Sequence, residues 1–87
     1  MPLVFIPPSL SQLTDGQREI EVEGGNVAEL VQNLEEQFPG IQRALCDDGR
    51  LKPGLVVSIG NATSHRGLLQ PVSVDDEVHF LPAIGGG

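Results

Sequence analysis

A chain of 87 residues with twelve acidic side chains against five basic ones, net charge −7, has room for one small domain. That balance argues against nucleic acid and anionic membrane as partners, since both are recognised largely through Lys and Arg, and no apolar run approaches the ~18 residues of a membrane span. The single cysteine, Cys46, leaves no internal disulfide to form, and Met1 to Ile6 lacks the basic start of a signal peptide, so a cytoplasmic protein is expected.

Leu3 to Ile6 reads as a short strand stopped by Pro7-Pro8. Ser9 to Gly16 is polar and ends in the turn signal Asp15-Gly16. Gln17 to Glu23 then alternates: Arg18, Ile20 and Val22 point one way, Glu19, Glu21 and Glu23 the other. This is a half-buried strand that forms a long-looped hairpin with the first. Gly24-Gly25 breaks it. Asn26 stands where a helix N-cap belongs, with Glu29 three residues later to complete a capping box. Val27, Leu30, Val31, Leu34 and Phe38 follow the stripe of an amphipathic helix, which Pro39-Gly40 ends.

Ile41 to Cys46 adds a short helical turn with Ile41 and Leu45 inward. Asp47 to Arg50 reads as a loop and Pro53-Gly54 as a turn. Leu55 to Ile59 reads as a central strand and Gly60-Asn61 as a turn. Ala62 to Gln70 is weakly patterned. Asp75-Asp76 is the turn before a last strand, Glu77 to Leu81, with Val78 and Phe80 on one face. The order is β-β-α-β-β. The helix buries its stripe by crossing one face of a mixed sheet, an α+β roll whose first and last strands are adjacent and central. Ile20, Val22, Leu30, Leu34, Val57, Ile59, Val78 and Phe80 form the expected core.

After Leu81 the chain reads Pro82-Ala83-Ile84-Gly85-Gly86-Gly87. Glycine has no Cβ and costs the most entropy to order, so this run contributes little to a fold. It does make a thin arm that can enter an enzyme channel too narrow for side chains. The expected division is a domain over 1–81 and a flexible tail over 82–87.

With these elements in place, the chain resembles the ThiS/MoaD family of ubiquitin-like sulfur carriers. The likeness is carried by Phe38-Pro39-Gly40-Ile41, by Val56-Val57-Ser58-Ile59, and by Val74 to Leu81 running into Pro82-Ala83-Ile84-Gly85-Gly86. Val4-Phe5-Ile6-Pro7 and Leu81-Pro82-Ala83-Ile84 are similar to the carriers that serve cysteine biosynthesis. Two features depart from the family. Three glycines stand where two are usual, so Gly87 is the active terminus, is trimmed by a protease to leave Gly86, or is foreign to the native end. Asp76 stands where the family more often has glycine, which puts the turn type in question.

The resemblance implies a β-grasp roll with one main helix packed on one face of a mixed sheet. It implies that a ubiquitin-activating-type enzyme uses ATP to adenylate the terminal glycine, Gly87 or Gly86. Sulfur then displaces AMP, and the thiocarboxylate delivers sulfide to a sulfur-accepting synthase. The carrier is a protein cosubstrate, not an enzyme, and binds no cofactor of its own. Two other readings use the same tail: the small subunit of molybdopterin synthase, and a ubiquitin-like modifier joined to lysines.

Other chemistry is poorly supported by spacing. His65, His79 and Cys46 lack the pattern of a zinc site. Asp47 and Asp48 beside Cys46 are expected to raise its thiol pKa and work against the thiolate. Ser9, Ser11 and Ser58 have no nucleophile-elbow context. Asp75-Asp76-Glu77 lacks the further ligands of a calcium loop. Gly24-Gly25 is flanked by Glu23 and Glu29, which disfavour an anion at the helix start. A partner-binding patch follows from strand alternation. If Val4 and Ile6 face the helix, then Leu3 and Phe5 face away, as do Val56, His79 and Leu81. Phe5, Val56 and Leu81 then form an apolar patch leading to Pro82 and Ile84.

Overall fold

The computed structural model describes residues 1–82. Five strands form one mixed sheet: β1 (Leu3–Phe5), β2 (Glu19–Glu21), β5 (Leu55–Ile59), β6 (Ala62–Ser64) and β7 (Glu77–Pro82), in the order β2-β1-β7-β5-β6. Two helices, α1 (Val27–Gln37) and α2 (Ile41–Leu45), follow β2, and a two-strand hairpin of β3 (Cys46–Asp47) and β4 (Arg50–Leu51) stands apart from the main sheet. 3-10 helices cover Pro8–Thr14 and Gly67–Leu69.

The centre of the sheet is β7. It pairs in parallel with β1, with Val4 opposite Val78, and antiparallel with β5, with Val57 opposite Phe80 and Ile59 opposite Val78. Val4 also stands opposite Ile20 of β2, so one row of apolar side chains crosses four strands. Side chains alternate between faces along a strand, so this register turns Val4, Ile20, Val57, Val78 and Phe80 to a single side. There they meet Val27, Leu30, Val31 and Leu34 of α1, all buried. Ile41 and Leu45 of α2 complete the same core.

The first turn of α1 is fixed by its side chains. Asn26 Oδ1 accepts the Glu29 backbone N–H at 2.9 Å. Glu29 Oε1 accepts the N–H of Gly25 at 2.7 Å, one residue before the cap rather than at it. Asn26 is instead engaged in a bridge with Pro71, flanked by Val27 N–H to Gln70 O and Val72 N–H to Gly25 O. Gly24 admits no side chain: a Cβ there would lie 2.8 Å from Leu30 Cδ2 and 3.0 Å from the Leu30 backbone nitrogen. At the other end, the Glu35 carboxylate accepts N–H groups from Gln42 at 2.8 Å and Gly40 at 3.0 Å. It caps the start of α2 from the last turn of α1. Those bonds, to Gln42 first and then Gly40, hold its carboxyl below the usual glutamate range, and Arg43 adds a smaller pull in the same direction.

Several expectations are corrected. The weakly patterned stretch contains β6, whose residues Ala62 and Thr63 are exposed and whose Ser64 is half-buried. An edge strand with one covered neighbour needs no apolar alternation. Before the expected turn at Asp15-Gly16, the polar segment forms a 3-10 helix, Pro8–Thr14, whose buried Thr14 donates its hydroxyl to Gln17 O at 2.7 Å. Asp47 to Arg50 is the tip of the β3–β4 hairpin, where Asp48 and Gly49 both take positive φ, 54° and 79°. That pair of angles is the tight turn matched to strand twist. Arg18 lies before β2 and is exposed instead of facing inward with Ile20. Ile59, at the end of β5, and Phe38, past the end of α1, are half-buried against the core rather than inside it. β7 keeps its pairing through Pro82, which stands opposite Leu55.

Leu34 is fully buried, so Leu34→Ala should cost about 2–5 kcal/mol in denaturant unfolding. A loss under about 0.5 kcal/mol would mean that α1 does not meet the sheet through this stripe. Glu35 is a carboxylate with a depressed pKa, so its stabilising effect is present above the ordinary glutamate range and lost as pH falls through the lowered value. Glu35→Gln should therefore be less stable than the parent at neutral pH, with the gap closing in acid. A gap that does not change with pH would show that the charge on Glu35 contributes nothing.

Candidate functional site

Among the described residues, α1 and α2 cover one face of the sheet, and no helix packs on the other. That second face is built by the same register. Phe5 of β1, His79 of β7 and Ser58 of β5 lie in one row across adjacent strands, and Val56 stands opposite Leu81 in the next. Leu3, Phe5, Val56 and His79 are half-buried, and Leu81 is 42% exposed. The expected patch thus lies on one face and leads to the end of β7.

Its main feature is a ring pair. Phe5 and His79 stack with centroids 4.1 Å apart and planes 9° from parallel. His79 Nε2 is 3.7 Å from Glu77 Oε1. Beside the pair, Pro7, Arg18, Glu19 and Leu81 help to enclose a shallow groove of about 430 Å³. Val56 opens on the other side, into a separate groove with Leu51 and Leu55. Strand alternation places His79 on this face, and the sequence assigns it no partner there. The stacking partner was hidden because Phe5 and His79 are neighbours only through the parallel pairing of β1 with β7.

Pro82, exposed, ends β7. Ile84, Gly85, Gly86 and Gly87, the rest of the expected attachment site and tail, lie outside the described residues.

The other candidates resolve into local structure. Cys46 is half-buried, and burial pushes its thiol above the ordinary range. The direction matches the expectation, but the cause is desolvation rather than Asp47 and Asp48. The Gly25 N–H at the start of α1 is taken by Glu29. Asp76 closes its turn without the glycine of the family: its Oδ2 accepts Ser73 N–H at 2.8 Å, and its own N–H donates to Ser73 O at 3.1 Å. Among the described residues, no three His, Cys, Asp or Glu side chains are grouped to hold a metal ion, and no helix is long and apolar enough to cross a membrane.

A mixed five-stranded sheet with β1 and β7 parallel at its centre and one long helix across a face is the β-grasp architecture of ubiquitin-like proteins. The model of the ThiS family matches residues 4–87, and the chain belongs to that family. It is 29% identical to the sulfur carrier protein CysO of Mycobacterium tuberculosis, over 97% of this chain and 96% of that protein. Among solved structures, a chain of the Amycolatopsis orientalis BexX/CysO complex superposes with a TM-score of 0.90 at 28% identity, covering 100% of both chains. Mycobacterium tuberculosis CysO follows at 0.88 and 26%, covering 97% of this chain and 100% of that one. The small archaeal modifier protein 1 of Methanosarcina acetivorans shares the fold, with a TM-score of 0.78 at 20% identity over 99% of this chain and 95% of that one.

Phe5→Ala should shift the His79 ring protons downfield in NMR spectra, because the shielding face of the benzene ring is removed. The stability lost with the ring pair should be about 1 kcal/mol beyond the area term. Unshifted His79 protons would show that the rings do not stack.

Proposed function

We propose that this chain is a sulfur carrier, a protein cosubstrate whose last glycine is loaded as a thiocarboxylate and unloaded on an acceptor enzyme. The observation that carries the reading is the coincidence of a family match running through Gly87 with the position of β7. The central strand leads straight into Ala83 to Gly87, each residue of which adds at most ~3.3–3.6 Å of reach. A rigid body joined to a segment of that make-up can stay outside an enzyme while its terminus is inside. The CysO relatives support the carrier reading over the modifier reading, since the archaeal modifier shares only the fold.

The chemistry asks little of the carrier's own side chains. On an activating enzyme, the glycine carboxylate attacks the α-phosphate of ATP and pyrophosphate leaves. Hydrosulfide then attacks the glycyl carbonyl, AMP leaves, and a thiocarboxylate remains. Cys46 is a poor alternative carrier of sulfur, because burial favours its protonated thiol. The Phe5–His79–Leu81 face, beside the end of β7, is the docking surface for the activating enzyme in this scheme. Likeness to CysO puts a cysteine-forming synthase first among acceptors.

Intact-mass measurement after incubation with ATP, an activating enzyme and sulfide tests the reading. The mass should rise by the difference between sulfur and oxygen, at the last glycine only, and Cys46→Ala should load equally well. Truncation after Gly85 should leave thermal stability unchanged and abolish loading. Phe5→Asp should slow loading with the circular dichroism intact. Continued adenylation of the truncated chain, or loss of sulfur from Cys46→Ala, would overturn the assignment.

A further inference from the structure

The charge of this protein is unevenly distributed in one place. A groove of about 580 Å³ lies between the β4 end of the small hairpin, the start of β5 and the segment after β6. Arg50, His65 and Arg66 line it, and Lys52 follows directly after β4. Arg50, Lys52 and Arg66 are three of the five Lys and Arg residues in the chain, whereas none of its twelve acidic side chains lines this groove. A neighbouring groove, which shares Gly49 and Leu68 with this one, carries Glu35, Asp47 and Asp48 together with Arg43, and Asp47 is the cross-strand partner of Arg50. Among the described residues, neither Arg50 nor Arg66 has a carboxylate within ion-pair distance. The floor is apolar: Leu51 and Leu55 are half-buried, and Leu69 at the rim is 77% exposed.

We propose that this groove seats a short acidic segment of a protein partner, with one apolar side chain of that segment packed against Leu51, Leu55 and Leu69. The cations select the sign of the occupant and the leucines supply its anchor. The net charge of −7 selects its size. A nucleic acid or an anionic membrane would extend past the groove over acidic surface, within the ~8 Å range of unscreened repulsion. A short segment meets the basic groove alone. Leu55 pairs with Pro82, so an occupant here sits beside the end of β7. Given the sulfur-carrier reading above, the partner is the enzyme that accepts the tail, docking on a different surface from the Phe5–His79 face.

The probe is a synthetic peptide with one leucine between runs of glutamate, titrated into the 15N-labelled full chain. Amide shifts should concentrate in Arg50 to Leu55 and Ser64 to Leu69 and should disappear at high salt. Arg50→Glu with Arg66→Glu should weaken binding about tenfold or more, as expected for reversing two charges at a screened surface. Leu69→Ser should weaken binding at unchanged charge; the exposed Leu69 side chain is outside the core, and circular dichroism checks that the fold is kept. Shifts centred on Arg18 or Arg43, binding indifferent to salt, or equally tight seating of a lysine-based peptide or a single-stranded oligonucleotide would overturn the proposal. If the peptide seats here but the last glycine never gains sulfur, the carrier reading fails and the site stands.

Discussion

The parallel pairing of β1 with β7 holds the rest of the structure in place. It joins the two ends of the described chain, Leu3 with Glu77 and Phe5 with His79, at the middle of the sheet. Since side chains alternate in strands, this one register decides both faces at once. It aligns Ile20, Val4, Val78 and Ile59 beneath α1, and it brings Phe5 against His79 on the opposite side. A slip of one residue would turn one strand over relative to its neighbour. Either Val4 or Val78, both fully buried, would be turned to solvent, and Phe5 and His79 would be parted onto opposite faces. Core packing and the make-up of the opposite face therefore depend on the same hydrogen bonds.

How much of this could be read in the sequence depended on how local each signal was. α1 was legible because Asn26, Glu29 and the stripe from Val27 to Leu34 all act within a few turns of one helix. The alternation of Val78 and Phe80 was equally local and gave the correct buried face. β6 was not legible. Ala62, Thr63 and Ser64 form an edge strand through pairing with β5, and their own side chains are largely outside the core. The β3–β4 hairpin was missed because each of its strands is two residues long, too short for any period. Phe38 shows the opposite failure: it continues the helical spacing but falls after the helix has ended.

The candidate surfaces divide in the same way. The membership of Phe5, Val56 and Leu81 in one face followed from counting residues along strands. That Val56 opens into a different groove from Phe5 did not, because it depends on which strands are neighbours. The basic groove was invisible for a related reason. Arg50 and Arg66 are sixteen positions apart in the sequence (66 − 50) and meet only because the chain after β6 returns over β4 and β5. Net charge described the whole surface as acidic and averaged this region away.

The place of β7 in the chain has a consequence for synthesis. The strand at the centre of the sheet is made after every other described element, and its pairing with β1 closes a loop of more than seventy residues. Until Glu77 to Phe80 emerge, β1 with β2 and β5 with β6 are two separate hairpins with α1 tethered between them, and neither hairpin can bury a core alone. Folding of this domain is therefore delayed until β7 has been made. A ribosome that stalls before β7 releases an unfolded chain, open to proteolysis. A molecule that has folded has, by that fact, been translated as far as Phe80, so the fold itself screens out chains cut short before the central strand.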